Sequence, residues 1–274
     1  MELDIVLLTI YFIGIGSLAY QMVLDVEAEL EDRVAFIPDP DSLGHALADQ
    51  LTRQGLSASL GQVETELPPP LKPQMGLTLT PPALRPEARS EARSEARSEA
   101  RTTSERDGLI AVQVIPQGPQ PLKPLAGLTV QVLNQTQAFQ VAVDWDRSSF
   151  TQMTNQARRV IRHTPGTRLD LGLPQVVSVV NPNQLLSAMA TSEDSFSLNP
   201  ETQLLQLATP LVDPNRLFGM PPPARVYALD LALTITPVIG RGARPLVLLL
   251  PFRFRVERLV AQSPIPYRQW WPKR

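Results

Sequence analysis

The residues with the clearest chemical potential are Asp144, Asp146, Ser148 and Ser149, in the run VAVDWDRSS. On a strand, two carboxylates two residues apart point to one face. Such a pair can bind a hard cation or share a proton. A Ca²⁺ ion needs about six to eight oxygens, and only the hydroxyls of Ser148 and Ser149 lie close by in the chain. The competing reading is a strand end at which Asp and Ser close a turn through their own backbone. It carries the greater weight. Trp145, between the two carboxylates, reads as a core anchor before a ligand platform.

Other chemistry is thin. His45 and His163 are the only histidines, so one chain cannot supply a histidine metal triad. His163 follows Arg158, Arg159 and Arg162, which reads as a charged strand edge rather than an anion site. His45 and Asp49 are four apart and read as a solvated pair on a helix. The absence of cysteine removes disulfides, thiolate metal sites and cysteine nucleophiles without fixing the compartment. No GxSxG, GxGxxG or GxxxxGK[ST] motif occurs, so no nucleophile elbow or phosphate loop is expected, and no cofactor. A net charge of −2 supplies no basic footprint for nucleic acid.

The tail PIPYRQWWPKR interleaves Tyr267, Trp270 and Trp271 with Arg268, Lys273 and Arg274. That mixture suits a membrane interface or an anionic partner groove. Alternatively the tryptophans pack onto the folded domain while the basic groups stay wet.

The elements that would position these groups are mostly strands. From Leu109 the apolar period is two, in LIAVQVIP, LTVQVL, AFQVAVDWD, RRVIR, QVVSVV, RVYALDLALTITPV and RPLVLLLPFRFRVERL. About seven such strands with polar turns predict an antiparallel, immunoglobulin-like sandwich over residues 109–274. Residues 182–224 interrupt it as a long, proline-rich excursion, with one short helix expected near Asn183 to Met189. The 28 prolines of the chain exclude long helices from most of it.

Upstream, Ile5–Leu24 is 20 residues without a charge, the length of a membrane-spanning helix. A single-pass anchor is expected over residues 1–33, together with an acidic juxtamembrane run. A cleaved signal peptide and a buried helix are the alternatives. Arg33 is the one basic residue near the span, which leans the following domain toward the cytoplasm. Residues 34–66 read as strand, helix, strand, with Asp41 or Ser42 capping the helix, Leu43, Leu47 and Leu51 on one face, and Gly55 stopping it.

Residues 67–108 read as a disordered linker, proline-rich and then EARS-repeated. In a helix the repeat EARSEARSEARSEAR (Glu87–Arg101) stacks like charge on like, so it reads as a solvated spacer. The flanking segments QVETELPPPLKPQMGLTL and QVIPQGPQPLKPLAGLTV agree at ten of 18 positions, 51 residues apart. Either the first is a duplicate decayed into linker, or both are equivalent strand entries after stiff polyproline. Duplication is favoured, because proline-rich tracts duplicate easily.

NQTQAFQVAVDWDRSSFT followed by RRVIRHTPG resembles a segment of uncharacterised bacterial envelope proteins with immunoglobulin-like domains. The matching positions are Asn134, Thr136, Val141, Val143, Asp144, Trp145, Asp146, Ser148 and Ser149. The resemblance implies a sandwich fold and an extracytoplasmic location. Those relatives are often anchored through a lipidated cysteine, which this chain lacks.

Together these features predict a membrane-anchored, non-catalytic binding or assembly protein whose partner is another protein. The alternative is a membrane-bound hydrolase using an unrecognised carboxylate or serine site.

Overall fold

Arg33–Pro38 forms strand β1, an apolar run from Val34 that is closed by proline. Pro40 then opens helix α1 (Pro40–Arg53), because proline at the first helical turn gives up an N–H that has no partner there. The computed structural model describes residues 10–17, 33–81, 108–152, 156–164, 166, 169–238 and 244–259. The helix cap is Asp39, whose side chain accepts from the Ser42 N–H at 3.1 Å. It lies two residues before Asp41, the first position expected, since proline at N1 fixes where the helix starts. Leu43, Leu47 and Leu51 are buried on one face, as their spacing predicts.

The remaining strands are β2 (Gly61–Glu64), β3 (Gly76–Leu79), β4 (Ile110–Ile115), β5 (Gly118–Pro121), β6 (Leu128–Asn134), β7 (Phe139–Thr151), β8 (Ala157–His163), β9 (Ser178–Val180), β10 (Gln184–Ser192), β11 (Phe196–Leu198) and β12 (Leu205–Leu207). After them come the short helix α2 (Pro214–Phe218), β13 (Val226–Pro237) and β14 (Leu246–Leu259). β11 and β12 pair with each other. The rest form one sheet in the order β2-β3-β4-β6-β10-β8-β7-β13-β14-β1-β5, with β9 beside β7. The fold is therefore mainly β and antiparallel, as the alternation predicts. It has more strands than the seven expected, because short strands hide in proline-rich and polar sequence.

The sheet curls round a single core. β8 is its corner: Ala157–Arg159 pair with β7, while Val160–His163 pair with β10. A strand that serves two sheet segments in this way turns the sheet. Val112, Val130 and Val132 from one half meet Val141, Trp145, Leu231 and Phe252 from the other in one buried cluster. Helix α1 contacts both β14 and β2, and its leucines join the same core. β1 covers the edge of β14 only from Phe254 to Leu259. Beyond that point α1 takes over, with Gln50 and Gln54 bonded to the backbone at Leu249 and Val247.

Three expectations need correction. Residues 67–81, read as linker, carry β3, which pairs with both β2 and β4. The proline-rich loop before it lies over the outer face of the sheet, where Leu67 and Leu71 form a second small cluster with Ala111 and Leu133. Gln113 holds that loop by donating from Nε2 to the carbonyls of Lys72 and Gln74 at 3.1 and 3.4 Å. Prolines need no ladder partners of their own, so a proline-rich run can lie on a face without leaving donors bare.

The helix expected near Asn183 to Met189 is strand β10. Its Leu, Ala and Met favour helix, but it fills the gap between β6 and β8 and pairs with both. Tertiary pairing overrides propensity there. Within Ile5–Leu24, residues 10–17 are helical. No helix among the described residues is long and apolar enough to cross a membrane, and the rest of the expected span lies outside them, as does the EARS repeat.

The two PLKP segments have equivalent roles. The first runs through the β2–β3 hairpin and the second joins β4 to its neighbour β6. Gly76 and Gly127 occupy matching places, and each stands where a neighbouring strand comes close. A Cβ on Gly76 would lie 2.8 Å from the Val112 carbonyl oxygen, and one on Gly127 would lie 2.7 Å from that of Ala190. Both copies are thus strand entries, and the first has not decayed into linker.

Candidate functional site

β7 carries the four polar residues singled out in the sequence. Phe139, Val141, Val143 and Trp145 point into the core, and Ala142, Asp144 and Asp146 sit on the outer face. The strand does not end at Asp146. It continues to Thr151 through an irregularity, where the β13 register jumps from Ala232↔Asp144 to Asp230↔Ser149. Extra residues in one strand leave backbone groups without ladder partners.

Asp144 and Ser148 supply the missing partners. The Arg147 N–H donates to Asp144 Oδ1 at 3.1 Å. Ser148 Oγ donates to the Asp144 carbonyl at 2.6 Å and accepts from the Ala232 N–H at 3.0 Å. Asp and Ser thus close a turn through their own backbone, but inside a strand rather than at its end. Ser149 Oγ donates to Asp230 Oδ2 at 3.2 Å, across to β13.

Asp146 belongs to a different network. It accepts from Arg159 Nε and Nη2 at 2.9 and 2.6 Å, and from Gln175 N and Nε2 at 2.8 and 3.0 Å. Arg159 also donates to the carbonyls of Leu171 and Leu173. Gln175 bonds the Val160 carbonyl and the Arg162 N–H. Ser178 Oγ accepts from Trp145 Nε1 at 2.8 Å and Arg162 Nη1 at 2.7 Å. These bonds tie residues 171–178 onto β7 and β8. Burial alone would push the Asp146 carboxyl up. The hydrogen bonds from Gln175 and Arg159, with the Arg159 charge, outweigh it and hold the carboxyl below its ordinary value.

The four residues are therefore neighbours in sequence with separate duties. Among the described residues, no group of three or more His, Cys, Asp or Glu side chains is placed to hold a metal ion. His163 packs against Phe196, ring centroids 5.9 Å apart, and His45 and Asp49 are exposed on α1. Tyr267, Arg268, Trp270, Trp271, Lys273 and Arg274 lie outside the described residues.

Sequence reasoning missed Gln175, Ser178 and Asp230, and it placed Arg159 on a charged strand edge, whereas β8 lies inside the sheet between β10 and β7. Two signals were present: an indole N–H buried in a core needs an acceptor, and Asp230 is the one charged residue within an otherwise apolar strand. It also missed an apolar row on the outer face. Val179, Ala142, Thr234 and Val247 are aligned across β9, β7, β13 and β14. Asp144, Ala232 and Leu249 form the next row. Val179 is 48% exposed, Val247 38% and Leu249 45%, with Val177 at 41% just before β9. The visible signal was LVLLLP, apolar at both parities, which covers both faces of β14 before the outer face turns charged at Arg253 and Arg255.

Comparison of the chain with protein-family models, with curated proteins and with solved structures gives no match in any of the three.

Proposed function

We propose that the chain is a membrane-anchored, non-catalytic binding or assembly protein that meets another protein through the outer face of β9, β7, β13 and β14. The observation that carries this reading is the aligned row Val179–Ala142–Thr234–Val247, which is mostly apolar, with Val179 and Val247 exposed at its two ends and Ala142 and Thr234 half-buried between them. A contiguous exposed apolar patch on a sheet face is the ordinary mark of a contact surface. The anchor rests on the uncharged stretch Ile5–Leu24. The hydrolase alternative has less support, since Asp144 and Ser148 serve the backbone and Asp146 is held by Arg159 and Gln175.

The resemblance around VDWDRSS falls on β7 and β8, the corner of the sheet. It supports an envelope location and an elaborated immunoglobulin-like sandwich as the origin of the curled sheet.

The test is photo-crosslinking from residue 247 in membranes carrying the full chain. A discrete adduct that disappears with Ala142→Arg is expected. No adduct, or one indifferent to that substitution, rejects the contact surface. Release of the full chain by alkaline extraction rejects the anchor.

A further inference from the structure

Gln113 is fully buried on β4, and only one end of its carboxamide is satisfied. Its Nε2 donates to the carbonyls of Lys72 and Gln74, while its Oε1 has no hydrogen-bond partner. Exchanging the two atoms would set an oxygen against two carbonyls, so the loop fixes which end is the acceptor. Gln131 stands directly opposite Gln113 on β6, and its Oε1 is also buried without a partner. A third such oxygen is Oε1 of Gln74, on the residue whose own carbonyl accepts from Gln113. Five buried side-chain polar atoms lack a partner among the described residues. Three of them belong to residues joined by this one bond and this one register pair.

We propose that the Oε1 atoms of Gln74, Gln113 and Gln131 hold a monovalent cation between the proline-rich loop and the outer face of β4 and β6. The ion pins the loop by the Gln74 side chain, as Gln113 pins it by the backbone.

Buried acceptors without donors cost free energy, so three together call for a shared occupant. One water brings two hydrogens and leaves the third oxygen bare. A cation meets all three at once, and amide-type oxygens are the groups that replace the hydration shell of an ion such as K⁺.

The neutrality of the oxygens sets the charge of the ion. Ca²⁺ and Mg²⁺ sites draw on carboxylates. The row across the sheet runs Glu64, Gly76, Gln113, Gln131, Ser187, and its one carboxylate is two strands from Gln113. Leu67 packs over Gly76 in between, where its Cδ1 would meet an added Cβ, and so screens Glu64 from the site. Entry is open, because Gln74 and Gln131 are only half-buried and their oxygens lie just under the surface. The site is on β4 and β6, apart from the β9, β7, β13 and β14 face, so it does not depend on the contact surface proposed there.

The test is thermal unfolding of the full chain in neutral-lipid nanodiscs, followed by circular dichroism. KCl, NaCl and NH₄Cl are each compared with choline chloride, whose cation is too large for the site, at equal ionic strength. At least one small cation is expected to raise the melting temperature by several degrees, with a saturating dependence on concentration. Gln131→Leu and Gln74→Ala should each lose most of that rise. Should Gln131→Leu fail to fold, Gln74→Ala, altered in the loop alone, carries the comparison. Equal melting in all four salts overturns the proposal and leaves water as the occupant. A rise that the variants retain overturns it as well, since the ion then acts elsewhere. So does a rise seen with CaCl₂ or MgCl₂ and with no monovalent salt.

Discussion

The Gln50 carboxamide bonds both backbone groups of Leu249: its Nε2 donates to the Leu249 carbonyl at 2.6 Å, and the Leu249 N–H donates to its Oε1 at 2.7 Å. One turn later, Gln54 Nε2 donates to the Val247 carbonyl at 2.7 Å. Four helical residues rise ~6 Å, close to the ~6.7 Å of two strand residues. Two glutamines four apart therefore fall in step with a strand edge and replace a missing neighbour. We expect Gln50→Ala to lower the free energy of unfolding by about 1–2 kcal/mol and to promote self-association through the bared edge. Urea denaturation and sedimentation velocity measure the two effects. An unchanged midpoint would show that water serves Leu249 as well as Gln50 does.

The repeated GLT of the two proline-rich segments has a steric cause. At Gly76 and Gly127 a neighbouring strand's carbonyl oxygen stands under 3 Å from where a Cβ would be, at 2.8 and 2.7 Å. Backbone oxygens in a paired sheet cannot move aside as a flexible side-chain tip can. Gly76→Ala and Gly127→Ala should each cost about 1–3 kcal/mol, the usual scale for overpacking. Thermal unfolding of the two variants checks it. If either variant melts with the parent, the glycine there is an inheritance of duplication with no packing role.

Asp146 makes stability depend on pH with a definite sign. Its folded carboxyl is held below the ordinary value, so the charged form favours the fold. That stabilisation is complete above the unfolded pKa of about 3.9 and is lost as pH falls through the lower, folded value. Asp146→Asn should therefore unfold more easily than the parent at pH 7, by about 1–3 kcal/mol. The gap should narrow steadily below about pH 4. Denaturant titrations from pH 7 down to pH 3 read it directly. A gap constant across that range would mean that Gln175 and Arg159 bond the amide and the carboxylate equally well.

Long alternating strands were legible in the sequence, because burial on one face writes itself as a period of two. β7, β13 and β14 follow their predicted parity, with Phe139, Val143, Leu231 and Phe252 inward. The short strands were not legible. β3 is four residues long, fully buried, and preceded by prolines, so it offers neither alternation nor length. β10 looks helical until its two neighbours are known. The four polar residues of β7 were found, but their duties depend on a bulge and on Arg159 and Gln175, and no local pattern announces pairing across strands. The apolar row was hidden for the same reason. Val179, Ala142, Thr234 and Val247 are far apart in the chain and become neighbours only through register.

Register also fixes which two strands the EARS repeat connects. Leu79, the last residue of β3, pairs with Ile110, the first of β4. The repeat therefore lies in the connection between two adjacent, paired strands, and its two ends are already held together by the sheet. A loop in that position should tolerate shortening, and the entropy of closing it falls only slowly with length, by about 0.6 kcal/mol for each halving. Excision of Glu87–Arg101, about half of residues 80–109, should leave the circular dichroism spectrum unchanged. It should also raise stability by roughly 0.6 kcal/mol, or about 1–2 °C in melting temperature. A loss above about 1 kcal/mol would contradict the loop-entropy account. It would mean that the repeated Glu and Arg side chains make stabilising contacts of their own, because a solvated loop between paired strands has nothing to lose by becoming shorter.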